Sequence, residues 1–399
     1  MNNKEKIINI CDKLIFISVL IFAFILPFER EMGGLFNGSL VLALLSWITK
    51  MIVSKQFIFK RTPLDYFILF YLIICIISAI FAYDEDSSFK LLRKDLFFYI
   101  IMFYVIVNNI NTQDKIRKVI YAFLLSGIIV CIYGAYSYFS EINLSAGRLN
   151  GTFRQPNRYA QYLIILSSLA ISMIANAKNI KWKAVLAAIL AIIILNLYWT
   201  FSRAGYAAFI LAILVYFLKT PMKIRITIVI FILLGIAALF NSEKFRSRLT
   251  LFGEERQLVY KSSFEILKDY PIIGVGYGDK NFYKLYKSKY KDTDATVNHS
   301  GTHNIFLQSA VETGIIGLIA FILLHLKIFI MYIKTYKTAY NDEIKWLCLW
   351  AISSFVGVFA IGQLHTLYRD RNVHIFWFIV AIMVSIYQIN YEQNKISKK

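Results

Sequence analysis

The sequence has little charge for its length. Only 17% of its 399 residues are Asp, Glu, Lys or Arg, whereas 58% are hydrophobic. A soluble domain has about a quarter charged residues and is nearer half apolar. The apolar residues also form many runs close to the roughly 20 residues that cross a bilayer as a helix. The composition therefore excludes an ordinary soluble protein and predicts an all-α polytopic integral membrane protein.

Other features that the sequence lacks exclude further classes. Its apolar runs do not alternate with polar residues as the strands of a membrane β-barrel do, so a barrel is excluded. It has only four cysteines, and none falls in a segment predicted to face outward, so we expect no disulfide on the exported surface. No Cys/His spacing typical of a metal site is present.

Twelve apolar segments are predicted to span the membrane. The first has no small-x-small cleavage site after it, so we expect a retained helix and not a signal peptide. The spans divide the chain into helices one to nine (1–240), one large outer loop with a surface helix (241–303), and helices ten to twelve with a cytoplasmic tail (304–399). They are 14–28, 35–53, 65–82, 96–109, 119–139, 159–177, 183–200, 204–218, 224–240, 304–332, 345–363 and 374–390.

The charges between the spans predict the orientation. With the N-terminus inside, every inner segment is basic, as the positive-inside rule requires, and both termini are cytoplasmic. The inner cations are about 20 Lys and 3 Arg, whereas the outer ones are about 10 Lys and 11 Arg. Arginine binds phosphate or carboxylate with a planar fork. The outer arginines therefore indicate an anionic ligand at the outer surface, with snorkelling to lipid headgroups as the alternative for some of them.

The segment before span six reads GRLNGTFRQPNRYAQYL, residues 147–163. Asn157 is predicted to cap the following helix, and three arginines surround it. Because helix N-termini favour anions, the segment could cradle a phosphate. The alternative is a capped helix start with lipid-facing arginines. The three arginines are Arg148, Arg154 and Arg158.

Arg203 lies in the turn TFSRAG between spans seven and eight, at the outer membrane boundary. A charge costs little there, so Arg203 either binds a ligand or snorkels. Gly205 lets the next helix approach closely.

The long outer loop is predicted to contain an amphipathic helix over residues 254–270, ended by Pro271. Its apolar side is expected to lie on the membrane surface. The glycines of GVGYG resemble a nucleotide loop only weakly, since they follow no strand of a βαβ unit. The expected apolar residues are Leu258, Tyr260, Phe264 and Leu267, and the phosphate candidates are Arg246, Arg248 and Arg256.

The end of the loop offers a metal-ligand pair and a general base. Asp292 and Asp294 form a DxD pair that can hold a metal in sugar transfer, but their surroundings are typical of a flexible polar loop. His303, at the start of span ten, is either a general base for a hydroxyl or an interfacial capping residue. Glu312 is two and a half helical turns further on, so it faces away from His303 and is expected to pack within the bundle.

Four motifs on the outer side resemble the O-antigen ligase and polymerase superfamily of bacterial membrane glycosyltransferases. They are GTFRQPN (151–157), SRAG (202–205), Arg256 with DYPIIGVGYG (269–278), and HNIFLQSAVETG (303–314). They occur in the order typical of that family, and the resemblance covers about residues 120–365. It implies a GT-C-like fold and, as substrate, a glycan carried on undecaprenyl diphosphate.

The resemblance also implies roles for individual residues. Arg203 and Arg256 are similar to the arginines that bind the diphosphate, and His303 to the proposed catalytic base. In the implied reaction, the acceptor hydroxyl displaces the diphosphate in a single step. This displacement inverts the anomeric carbon and requires no metal or other cofactor. Secondary substrate contacts are expected at Arg154, Asn157, Arg158 and Asn304, while the roles of Arg148, Arg369 and Arg371 stay open.

Two activities and one other class of protein fit these features. A ligase moves the glycan to a sugar hydroxyl of lipid A-core, whereas a polymerase extends a second lipid-linked glycan. We favour the ligase, acting on the outer face of the bacterial cytoplasmic membrane; without an outer membrane, polymerisation or transfer to a wall polymer fits better. The third alternative, a flippase, is disfavoured because the halves show no repeat. Nucleic acid is not an expected partner.

Overall fold

The computed structural model describes residues 3–28, 31–57, 59–241, 243–246, 254–291, 301–365 and 370–396. These residues are almost entirely helical, as predicted. The exception is a short antiparallel hairpin in which β1 (Leu144–Ser145) pairs with β2 (Arg148–Leu149).

The helices before the long loop are α1 Asn3–Ile25, α2 Gly33–Ser54, α3 Asp65–Ile80, α4 Glu85–Leu91, α5 Phe98–Asn109, α6 Gln113–Phe139, α7 Pro156–Asn176, α8 Ile180–Trp199, α9 Arg203–Leu214 and α10 Met222–Asn241. A π-helical stretch, Leu92–Phe97, joins α4 to α5. The later helices are α11 Glu243–Arg246, α12 Glu254–Asp269, α13 Asp279–Leu285, α14 Ile305–Lys337, α15 Asp342–Gly362 and α16 Asp370–Ile396.

Each of the twelve predicted spans lies on one of these helices. Within the described residues, eight helices are long and apolar enough to cross a membrane, and α3 and the helix 203–218 are shorter apolar helices. A multi-pass membrane protein is therefore confirmed. The count of twelve crossings, the orientation and the three-part division of the chain stay predictions.

The core of the bundle is formed by helices that are buried on most sides. Nearly the whole of α16 and most of α7 are buried by the surrounding helices. The helix α7 packs on α8 and α15, and α9 packs on α15. At the start of α9, a Cβ on Gly205 would lie 2.8 Å from the Cβ of Ala160, so glycine permits this close approach of α9 to α7.

The helix α14 is broken at Gly314, whose backbone has φ 69° and ψ −175°. Almost only glycine adopts this conformation. The break frees backbone groups that the segment 271–276 satisfies. Val275 N–H donates to Val311 O (2.9 Å), Gly276 N–H donates to Glu312 O (3.1 Å), and Ile315 N–H donates to Pro271 O (2.8 Å). Irregular backbone at membrane depth is tolerated only where protein covers it. The segment DYPIIGVGYG covers this break and pairs its backbone groups.

The helix α12 confirms the predicted loop helix, but its buried face differs from the predicted one. Val259, Ser263 and Ile266 are buried, whereas Phe264 is 55% exposed. The buried face packs on the first half of α14 beside Val311. Phe264 on the predicted apolar side is exposed, so the contact of that side with a membrane surface stays a prediction.

Candidate active site at the outer ends of the helices

The segment before α7 folds tightly around one aromatic ring. Gly151 has φ 57°, and a Cβ there would lie 2.8–2.9 Å from the ring of Tyr159. The helix starts at Pro156, with Gln155 in the N-cap position. The prediction that Asn157 caps this helix is therefore wrong, because proline, which suits the first turn, places the start two residues earlier.

Asn157 instead connects three separate segments. Its Oδ1 accepts hydrogen bonds from Arg148 Nη2 (2.9 Å) and Ser202 Oγ (2.7 Å). Its Nδ2 donates to the ring of His365, 2.9 Å from Nε2 and 3.2 Å from Nδ1. One amide thus holds together the hairpin before α7, the turn before α9 and the segment after α15.

Arg203 is the first residue of α9, at the positive end of the helix dipole. Ser202 caps this helix, because its Oγ accepts from Gly205 N–H (3.0 Å). A second guanidinium is fixed to the same turn, since Arg148 Nε donates to Thr200 O (2.9 Å). Two arginines therefore meet at a capped helix start, which is a site suited to an anion.

His303 lies just before α14, in a backbone conformation that is uncommon for histidine (φ 56°). Its ring stands edge to face against His365, with the centroids 6.0 Å apart and the planes at 83°. The next residue, Asn304, caps α14 by accepting from the N–H groups of Phe306 (2.9 Å) and Leu307 (3.0 Å). Asn304 Nδ2 also donates to Gln363 Oε1 (3.1 Å), so these contacts account for its amide without a ligand.

Glu312 is linked to the His303 segment through Gln308. Glu312 is 2% exposed, and its Oε1 accepts from Gln308 Nε2 (2.5 Å). Gln308 Oε1 in turn accepts from Thr302 N–H (2.8 Å). Packing within the bundle was the expected role of Glu312. Its carboxylate also anchors the backbone next to His303, a connection that the helical-wheel argument did not anticipate.

Arg256 lies in the first turn of α12 and is partly buried. Burial lowers the pKa of Arg256 below its ordinary value. This means that the guanidinium has lost part of its hydration. A weakly hydrated, planar guanidinium is suited to binding a phosphate.

These groups converge on His365. Burial, and then the charges of Arg256, His303, Arg148 and Arg203, lower the pKa of His365 to about 3. The contacts of His365 with His303 and Asn157 bring the segments that carry three of the predicted motifs together.

His365 and the connecting role of Asn157 are what the sequence interpretation missed. His365 was assigned no role from the sequence. Its signal was weak: it is one of five histidines in the chain, in the polar run QLHTLYRDRN after a long apolar helix. Its significance depends on contact with Asn157, 208 residues earlier.

Other predicted residues lie apart from this cluster or outside the described ranges. The Arg154 and Arg246 side chains are exposed, and Arg158 is partly buried, with its carbonyl accepting from Asn372 Nδ2 (3.2 Å). Among the described residues, no group of three or more His, Cys, Asp or Glu side chains is placed to hold a metal ion. Outside the described residues lie Arg248, Asp292, Asp294, His299, Arg369 and the side chain of Arg371.

Two comparisons with known proteins bear on this cluster. A family model described as O-antigen ligase matches residues 159–322, which include Arg203, Arg256, His303 and Glu312. A curated relative, an uncharacterised protein of Haemophilus influenzae, is 28% identical over 177 residues, which is 39% of this chain and 44% of the relative. The chain thus spans less than half the length of the curated relative that it matches. The family match supports a membrane glycosyltransferase of the ligase or polymerase type. The resemblance to the O-antigen ligase superfamily is thereby confirmed over residues 159–322.

Proposed function

We propose that this protein transfers a glycan from undecaprenyl diphosphate to a sugar hydroxyl of lipid A-core at the outer face of the bacterial cytoplasmic membrane. The observation that carries the proposal is the contact of His365 with His303 and, through Asn157, with Arg148 and the turn that holds Arg203. Such a site combines a cationic surface for a leaving diphosphate with imidazoles for a hydroxyl proton. The family match over residues 159–322 supports the same class of reaction.

Arg203 and Arg256 bind the diphosphate in this proposal. Arg203 offers its fork at the N-terminus of α9, where the helix dipole also favours negative charge. Arg256 offers a partly desolvated guanidinium from α12. Negative charge develops on the diphosphate as the glycosidic bond breaks, and fixed cations that stabilise it supply a large part of the rate enhancement.

His303 acts as the general base. The acceptor hydroxyl gives its proton to the His303 ring as its oxygen forms a bond to the anomeric carbon. The bond from that carbon to the diphosphate oxygen breaks, and its electron pair leaves with the diphosphate. Attack from the face opposite the leaving group inverts the anomeric carbon. The arginines take the place that a divalent cation occupies in other glycosyltransferases.

The neutral His365 ring completes this arrangement. Because burial, and then the neighbouring positive charges, hold the pKa of His365 near 3, its ring carries no charge at neutral pH and does not repel the proton that His303 receives. Its hydrogen bond from Asn157 fixes the ring orientation. In our proposal it holds His303 against the acceptor side of the site.

The test combines purified protein with an undecaprenyl-diphosphate glycan and lipid A-core, and separates the products by size. We expect glycan on lipid A-core with wild type and a loss of most of this rate with His303→Ala. A ladder of longer lipid-linked glycans with untouched core would replace the ligase by the polymerase. Transport of the lipid into the opposite leaflet, unchanged by His303→Ala, would overturn both in favour of a flippase.

A further inference from the structure

A pocket of about 190 Å³ lies at the end of the bundle that is predicted to face the cytoplasm. It is bounded by α6, the end of α7, the start of α8 and the start of α15. Pockets that enclose a whole small ligand are larger, roughly 300–1,000 Å³, so this pocket has room for only part of a ligand. Its lining includes Arg117, Tyr121, Ser172, Trp182, Glu343 and Trp346.

Aromatic side chains from three helices line the pocket, namely Tyr121 on α6, Trp182 on α8 and Trp346 on α15. Tyr121 is 48% exposed and Trp182 is 45% exposed. Tyrosine and tryptophan concentrate where a bilayer meets water, because their rings lie among the lipid headgroups. Further along the same helices, Leu125 and Val185 are exposed as well. An apolar surface that suits acyl chains therefore continues from the pocket along α6 and α8 into the bilayer.

The two acids at the start of α15 are already paired within the protein. Glu343 accepts hydrogen bonds from Arg117 Nε (2.5 Å), from Arg117 Nη2 and from Gln113 Nε2 (2.8 Å). Asp342 accepts from Lys219 Nζ (2.7 Å). The bonds to Glu343 use two of the five N–H donors of the guanidinium, so Arg117 keeps donors for a second anion.

Further cations come from the turn between α7 and α8, which reads NAKNIKWK over residues 176–183. Lys178, Lys181 and Lys183 flank the lining residues Ala177 and Trp182. Residues 142–242 contain neither aspartate nor glutamate, so no acid in this part of the chain offsets these lysines. Basic pockets between membrane helices on the cytoplasmic side are suited to anionic lipid headgroups.

We propose that this pocket binds the headgroup of an anionic phospholipid, with its phosphate between Arg117 and the lysines of the α7–α8 turn. The apolar surface along α6 and α8 holds the acyl chains, for which a water-soluble anion has no counterpart. The cations repel the amine of a zwitterionic lipid, so a lipid with net negative charge, such as phosphatidylglycerol, fits best. The bound lipid ties together the ends of four helices and stabilises the bundle. This inference is independent of the proposed function.

The test measures the melting temperature of the detergent-purified protein as phosphatidylglycerol is added, with phosphatidylcholine of the same acyl chains as the neutral control. We expect only phosphatidylglycerol to raise it, because a ligand that binds the folded state stabilises that state. Lys178→Gln/Lys181→Gln should need about ten times more phosphatidylglycerol for the same rise. The matched control Lys334→Gln/Lys337→Gln removes two exposed lysines on the same predicted side that do not line the pocket, and should respond like wild type.

Ala177→Trp tests the pocket without changing a charge. Its indole would occupy the space of the headgroup, whereas Ala184→Trp changes an exposed alanine of α8 that does not line the pocket. We expect a phosphatidylglycerol with a diazirine in its headgroup to label wild type and Ala184→Trp strongly, and Ala177→Trp much less, per amount of folded protein.

Equal labelling of the two tryptophan variants, or equal responses of the two double-lysine variants, would overturn the inference. An equal rise in melting temperature with phosphatidylcholine would reject the preference for an anionic headgroup. An equal rise with glycerol 1-phosphate would identify a site for a water-soluble anion and reject the lipid.

Discussion

Arg203 provides the sharpest test of the anion site. If its fork binds two diphosphate oxygens, Arg203→Lys should lower kcat/KM almost as much as Arg203→Ala, because an ammonium cannot make the paired contact. We expect a loss of roughly a hundredfold in both variants, measured with the undecaprenyl donor. Arg93→Lys, at an exposed arginine on the predicted outer side, is the control and should retain wild-type activity. Wild-type activity in Arg203→Lys would indicate a snorkelling anchor.

The pKa of His365 predicts how stability depends on pH. In the folded protein this pKa is about 3, below the ordinary value of 6.5. Between pH 3 and pH 6.5, His365 binds a proton in the unfolded chain but not in the folded one. The free energy of unfolding therefore falls as the pH drops below 6.5. His365→Gln removes this contribution. We expect the melting temperature of wild type to fall more between pH 7 and pH 5 than that of His365→Gln; equal falls would contradict the assignment.

A substitution of Gln308 tests whether the hydrogen bonds that connect Glu312 to Thr302 position His303. Gln308→Leu keeps the apolar bulk of the side chain but removes its bonds to Thr302 N–H and to Glu312. A shift of the base by about 1 Å can reduce the rate by roughly a hundredfold. We expect kcat to fall by ten- to a hundredfold with little change in KM for the donor. Ser309→Ala, one residue further along, should leave kcat near wild type, and equal kcat values in the two variants would argue for packing alone.

The sequence indicated individual candidate residues but not their connections. Arg203, Arg256 and His303 could be chosen as candidates because each lies in a short motif with an unusual charge or a histidine at the predicted membrane boundary. Asn157 and His365 could not be paired in advance, since their contact joins segments 208 residues apart. Short polar side chains acquire a role from their neighbours in space, and these neighbours are set by helix packing.

Gly314 is the critical residue of the broken helix α14. A Cβ at this position would lie 2.0 Å from Ile272 O, and the backbone conformation itself disfavours alanine. We expect Gly314→Ala to lower the stability by at least ~2 kcal/mol and to reduce folded yield. Gly38→Ala in α2, where a Cβ has no neighbour within 4 Å, is the matched control. Thermal unfolding in detergent separates them; equal melting temperatures would show that the break tolerates a side chain.

At the scale of helices, the length of the apolar segments predicted the spans, but it could not reveal a break inside one of them. Residues 304–332 read as one continuous apolar segment, and only the ETG sequence hints at an interruption. The break is stabilised by a partner segment more than 30 residues earlier, 271–276. The packing of α12 could not be predicted for the same reason, because its partner surface is created by this broken helix.

The orientation of the whole molecule can be tested by cysteine labelling. The four native cysteines are all buried, so they should react little with a membrane-impermeant maleimide. Lys90→Cys and Lys181→Cys replace exposed lysines on the predicted outer and inner sides. We expect Lys90→Cys to be labelled in intact spheroplasts and Lys181→Cys only after permeabilisation. Labelling of both cysteines from the outside would reject the orientation.

The bundle as a whole followed from composition, whereas its internal arrangement did not. Charge and hydropathy are properties of the chain alone, and they predicted a multi-pass helical protein. Which helices enclose α7 and α16 depends on the fit of many side chains at once, for example the stacking of Tyr99 on Trp377 with centroids 4.8 Å apart. Such fits have no signature in a single sequence.

The broken helix α14 has a consequence for biosynthesis. Residues 254–291 leave the ribosome before α14 does, so in the predicted orientation they are exported before α14 enters the membrane. The first half of α14 can then pack directly on this segment. The N–H groups of Val275 and Gly276 donate hydrogen bonds to the carbonyls of Val311 and Glu312. The exported segment is thus a template for the last stage of membrane insertion. A chain without it would leave these carbonyls unpaired in lipid and become a substrate for membrane proteases.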